Sequence, residues 1–76
     1  MKDIELKNKV IIWLKEKSIE YKTRPQKFTP TEVAHAVGGN SNRIGFVDRD
    51  IELELNAQGI DIRYVNKGSK RYFELN

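Results

Sequence analysis

At 76 residues the chain can form one domain around one small core, and it is too short to wall a deep substrate cleft. It contains no Cys, which excludes disulfides, a thiol nucleophile and a cysteine metal site. No signal peptide and no apolar run of bilayer-spanning length are present, so a cytoplasmic protein, or a domain of a larger one, is expected. The net charge is only +3, but it is unevenly placed: residues 1–40 carry eight Lys/Arg against five Asp/Glu, whereas residues 41–76 carry six of each.

The pattern predicts a first helix from about Asp3 to Lys17, with Asp3 as N-cap and Glu5 in the first turn, where a carboxylate suits the helix dipole. Ile4, Leu6, Val10, Ile11, Trp13 and Leu14 cover about half of its circumference, with Glu5, Lys9 and Glu16 opposite. That is the pattern of a helix lying across a core, with Trp13 inside and Ile12 alone on the wet side. Residues 18–27 read as a connector in which Ile19 and Tyr21 fold back onto the core and Lys22, Arg24 and Lys27 are exposed charge. Pro25 blocks helix there, and Gln26, Lys27 and Phe28 can make a very short strand.

Thr29-Pro30-Thr31-Glu32 has the form of a capping box with Pro at the first helical position. Val33, Ala34 and Val37 supply a small apolar face, and Gly38-Gly39 ends the helix after about two turns. Asn40 or Ser41 can cap the next helix, which runs from about Ser41 to Ala57 and stops at Gln58-Gly59-Ile60. At about 100° per residue, Ile44, Val47, Ile51 and Leu55 make its core face. Asn42, Gly45, Arg49 and Asn56 fall roughly opposite, forming a front that is polar, small at one position and cationic at another. Taken alone this pattern is more often an ordinary surface helix, and the neighbouring elements are what favour a recognition helix. A third stripe, Phe46, Leu53 and Ala57, is expected to pack under the following hairpin or against the first helix; exposed, it would offer a surface to a protein partner.

From Ile60 the period changes to two. Ile60, Ile62 and Tyr64 alternate with Asp61, Arg63 and Val65, and after Asn66-Lys67-Gly68 the alternation returns through Arg71–Leu75. This predicts a hairpin over residues 60–75, with Gly68 at positive φ in a three-residue loop and Lys67, Lys70 and Arg71 clustered near the turn.

Helix, possible short strand, helix, tight Gly turn, helix, hairpin is the order of winged-helix domains, a branch of the helix-turn-helix DNA-binding proteins. The resemblance spans nearly the whole chain and rests on TPTEVAHAV, the GGNSN turn, the helix end LNAQGI and the hairpin IDIRYVNKGSKRYFEL. The ending also resembles winged-helix tails of replication and mobile-element proteins. The fold expected is therefore α+β, a three-helix winged helix-turn-helix with a C-terminal β-hairpin wing, as a single domain over 1–76.

The resemblance implies double-stranded DNA as partner, with the helix at 41–57 in the major groove. Asn42 and Arg49 would meet base edges and Gly45 would let the backbone approach closely. Ser41, Arg43, Thr29 and Thr31 would hold phosphates, and Lys67, Lys70 and Arg71 would grip backbone from the wing. The helix from Ser41 to Ala57 itself carries two Arg and four acids. Glu52 and Glu54 are expected to point away from DNA, and Asp48 and Asp50 to pair with Arg43, Arg49 or another cation; Asp50 alternatively reads a cytosine amino group. This acidity and the Phe46/Leu53/Ala57 stripe suit the alternative, a protein-interaction module or dimeric adaptor; RNA is a third possibility.

Enzyme chemistry is not expected, and neither a cofactor nor a metal. His35 has Glu32 three residues before it, but no third ligand joins them. No Ser or Thr pairs with His35 and an orienting acid, and Gly38-Gly39-Asn40 lacks the spacing of a phosphate loop. Asp48/Asp50 and Glu52/Glu54 are two residues apart, which separates them around a helix.

Overall fold

The computed structural model describes residues 2–20 and 25–76, residues 2 and 3 by backbone alone. Three helices, α1 (Lys2–Glu20), α2 (Pro30–Val37) and α3 (Ser41–Ala57), pack against a sheet of β1 (Gln26–Phe28), β2 (Ile62–Lys67) and β3 (Lys70–Leu75). The sheet is antiparallel in the order β1-β3-β2. Three helices followed by a C-terminal hairpin make a mixed α+β domain with the layout of a winged helix-turn-helix.

The helix-turn-helix is built by local chemistry. The Glu32 amide donates to Thr29 Oγ1 (3.1 Å). The Glu32 carboxylate accepts from the Thr29 hydroxyl (3.2 Å), where the capping box places it on the Thr29 amide. Gly38 ends α2 in the left-handed conformation (φ +74°). Gly39 lies against Leu6 of α1, where a Cβ would make the tip of the Leu6 side chain shift. Asn40 then caps α3, its Oδ1 accepting from the Asn42 amide (2.8 Å). At the far end, Ile60 N–H reaches Leu55 O and Gly59 N–H reaches Asn56 O, both at 3.0 Å. This paired pattern closes a helix through a left-handed Gly.

Val10 and Leu14 of α1, Val33 of α2, Ile44, Ile51 and Leu55 of α3, and Ile62, Phe73 and Leu75 of the sheet form the fully buried core. Trp13 meets Phe28 edge-on (5.1 Å between ring centres), and Tyr64 packs on Phe73 at 4.8 Å. Burial of these apolar surfaces is the main term holding so small a domain together.

Four expectations change. The first helix begins at Lys2, which puts Asp3 inside it, and it continues to Glu20, closed by a Lys17–Glu20 ion pair (3.2 Å) and Ser18 Oγ donating to Lys15 O (2.6 Å). Carried on by that extra turn, Ile19 faces outward and is 74% exposed, and Ile4 at the other end is also exposed. The Phe46/Leu53/Ala57 stripe does not pack under the hairpin or on α1: Phe46 is 74% and Leu53 59% exposed. The reason is that the hairpin lies against the flank of α3 carrying Glu52 and Asn56. Finally, Lys67 pairs with Lys70, so the loop is the two residues Gly68-Ser69, with Gly68 alone at positive φ (+57°). That sign pattern is the one a two-residue hairpin with Gly first adopts. The expected packing of Tyr21 and the charges of Lys22 and Arg24 lie outside the described residues.

Candidate nucleic-acid interface

A concave groove opens between the starts of α2 and α3 and the hairpin. Thr29, Thr31, Ser41, Asn42, Gly45 and Arg71 line it together with Pro30, Tyr64 and Ser69. Two helix N-termini therefore border one hollow with their partial positive charge, together with five hydroxyls and one guanidinium. Farther along α3 the hollow continues between Asp48, Arg49 and Glu52 on one side and Tyr64 and Asn66 on the other. Six of the ten residues expected at a DNA surface thus share the groove, and Arg49 lies in its extension.

The other three are placed elsewhere. Arg43 lies beside a separate hollow formed with Glu5, Leu6, Lys9 and the Gly38-Gly39 turn, on the α1 side of the α3 start. Lys67 and Lys70 sit directly opposite each other across the hairpin, one strand position out of phase with the Asn66–Arg71 pair. Alternation along a strand turns Asn66 and Arg71 toward the groove and Lys67 and Lys70 to the outer face of the sheet. The expected single cationic wing is split in two.

Tyr64, like Pro30 and Ser69, is a groove residue that sequence reasoning left out, although its place in the inward series Ile60, Ile62, Tyr64 was a usable signal. A Tyr at such a position puts its ring on the core and its polar tip at the surface. Burial, assisted by the nearby Asp48 charge and opposed by Arg71, raises the Tyr64 hydroxyl above its ordinary value near 10. The phenol is therefore a neutral donor at physiological pH.

The acids of α3 divide by task. Glu54 pairs with Lys7 of α1 (3.5 Å). Glu52 Oε2 accepts from the Tyr64 amide (2.7 Å), and Asn56 Oδ1 from the Ile62 amide (3.4 Å). Two side chains four apart on a helix are separated by about 6 Å along its axis, close to the ~6.8 Å between alternate amides of a strand. The pair therefore clasps the outer strand β2 to α3. Glu52 does not point away from the groove as expected, but its charge is committed to the backbone. Asn56, expected on the partner-facing front, is likewise part of the fold.

Asp48 and Asp50 make no ion pair among the described residues. The spacing explains this: Arg49 is adjacent to both, and Arg43 is five and seven residues away, whereas side chains meet on a helix at three or four. Asp48 instead turns back on the Arg49 amide. His35 is exposed on α2, and among the described residues no three of His, Asp and Glu gather to hold a metal. No described helix is long and apolar enough to cross a membrane. No family model, curated protein or solved structure matches the chain.

Proposed function

We propose that this chain is a winged-helix double-stranded DNA-binding domain. It would act as a small transcription regulator or as the DNA-binding part of a replication or mobile-element protein, and its place would be the cytoplasm. The observation that carries the reading is the groove: the starts of α2 and α3 and the inner edge of the hairpin converge on one hollow lined by Thr29, Thr31, Ser41, Asn42, Gly45 and Arg71. Hydroxyls and amides at helix starts are phosphate ligands, Asn42 and Arg49 have the donor and acceptor sets that read base edges, and Arg71 reaches the same strand from the wing.

The test is fluorescence anisotropy of a labelled mixed-sequence duplex across a salt series. Affinity that falls steeply with log salt is expected. Arg71→Ala should weaken binding to every sequence and reduce the salt slope by about 0.9. Arg49→Ala should relax preference between sequences by about 1–3 kcal/mol at the position it reads. Absence of binding by the folded domain near 50 mM salt, a condition on the order of those where phosphate contacts are strongest, would remove DNA from the proposal.

One observation favours a second reading, a protein-interaction module or dimeric adaptor: Phe46 and Leu53 are large apolar side chains that stand exposed on α3. Phe46→Ser separates the two, since it removes the anchor of a protein contact and leaves the groove lining intact.

A further inference from the structure

A cluster of cations lies outside the groove, on the sheet. Strand register gives the sheet an inner face, which carries Ile62, Tyr64, Phe73 and Leu75 and ends at Asn66 and Arg71, and an outer face turned away from the helices. Four cations occupy the outer face: Lys27 of β1, Arg63 and Lys67 of β2, and Lys70 of β3. One acid, Glu74, stands between Lys27 and Arg63, paired in register with both. The groove and its extension taken together, by contrast, set Arg71 and Arg49 against Asp48 and Glu52 and are close to neutral.

This arrangement works against the fold. Lys67 and Lys70 are directly opposed, and like charges at such positions repel. Among the described residues the side chains of Arg63, Lys67 and Lys70 make no hydrogen bond or ion pair that would offset it. Lysines on an outer strand are a usual guard against edge-to-edge pairing, which accounts for Lys27 and Lys67. It extends to Lys70, because β1 pairs with β3 only from Phe73 to Leu75 and leaves that side of β3 open at residue 70, but it does not require Lys67 and Lys70 to face each other as the register sets them.

The spacing points to a duplex. The Lys27/Arg63 row and the Lys67/Lys70 row are four residues apart along the strands, about 13 Å, comparable with the ~12 Å width of a B-form major groove. Between the rows lie Val65 and Tyr72, half-buried, and the Tyr72 ring already has Lys27 Nζ over it at 5.1 Å. A surface that stacks single-stranded bases needs successive free rings, and this one has none. We propose that the outer face of the sheet is a second contact surface for double-stranded DNA, which grips phosphates on both banks of a groove without reading sequence. The face needs nothing from the α3 groove; that one domain can hold two duplex segments at once rests on the function proposed above.

The test compares the wild-type domain with a sheet variant (Arg63→Gln, Lys67→Gln, Lys70→Gln), a groove variant (Arg49→Ala, Arg71→Ala) and the single change Lys70→Gln. The substituted side chains are exposed, and circular dichroism verifies the folds. The sheet variant should lose about 2.7 from the log–log salt slope for a mixed-sequence duplex, and Lys70→Gln about 0.9. Wild type bound to an immobilised duplex should capture a second, labelled duplex, and the sheet variant should not. A sheet variant with the wild-type slope overturns the proposal, as does equal or tighter binding of single-stranded DNA with the same dependence on these three residues. If the groove variant binds as wild type does and the sheet variant does not bind, the groove reading fails and the sheet face stands.

Discussion

Gly45 is the residue whose cost the fold does not explain. It lies inside α3, where Gly destabilises a helix by about 1 kcal/mol relative to Ala. A Cβ built there meets no atom within 4 Å, and its φ is not in the left-handed region. Neither space nor backbone conformation requires it, in contrast to Gly38, which needs positive φ, and Gly39, where a Cβ would displace the tip of Leu6. What remains is that Gly45 lines the groove, where a missing side chain lets an outside partner approach the helix. Gly45→Ala should therefore raise stability by about 1 kcal/mol, read as a higher urea midpoint, and lower duplex affinity by about tenfold, or ~1.4 kcal/mol. A stabilised variant with unchanged affinity would mean that no partner approaches at this position.

At the scale of elements, the clasp between α3 and β2 decides where the groove wall stands. Without it the Ile62 and Tyr64 amides of the outer strand β2 lose their acceptors on α3. Glu52→Ala removes a charge-assisted hydrogen bond worth about 1.5–3 kcal/mol, and Glu52→Gln, which keeps an acceptor, should recover part of that. Hydrogen exchange gives the specific signature: the Tyr64 amide should lose protection in Glu52→Ala while the Ile62 amide, held by Asn56, keeps it. Equal loss at both amides would mean that the strand is held by packing alone. The ends of α2 and α3 were legible in the sequence because caps and 3.6-residue periodicity are local: the Thr29 cap, the Gly38 stop, Asn40, and α3 from Ser41 to Ala57 stand as read, whereas α1 runs past both of its expected ends. The clasp was not legible, because residues 52 and 64 meet only once the hairpin has docked. Nor was the split of the wing. A loop of two residues rather than three fixes the register, and a one-residue slip in a strand carries a side chain to the opposite face.

At the scale of the whole molecule, the principal dimensions are 32 × 27 × 20 Å, so the long axis approaches one turn of B-DNA, about 34 Å. On the proposed function, one copy would cover about one half-site, and binding a two-fold site would require a second copy. The exposed Phe46 of α3 bears on that requirement. If its ring belonged to the core, replacing it would cost as much as truncating a fully buried residue such as Leu14, about 2–5 kcal/mol for Leu14→Ala. The ring is 74% exposed, and Ser and Phe have similar helix propensity, so Phe46→Ser should shift stability by no more than about 0.5 kcal/mol. With the fold intact, the same variant reports what the ring contacts. Sedimentation of the free domain and of its duplex complex gives the number of copies in each. Loss of a dimer with unchanged affinity per copy assigns Phe46 to a subunit contact. Lower affinity with the same number of copies assigns it to DNA, where a thymine methyl is the apolar group a ring on α3 would meet. A large drop in stability would instead show that the ring is packed and remove the surface from both accounts.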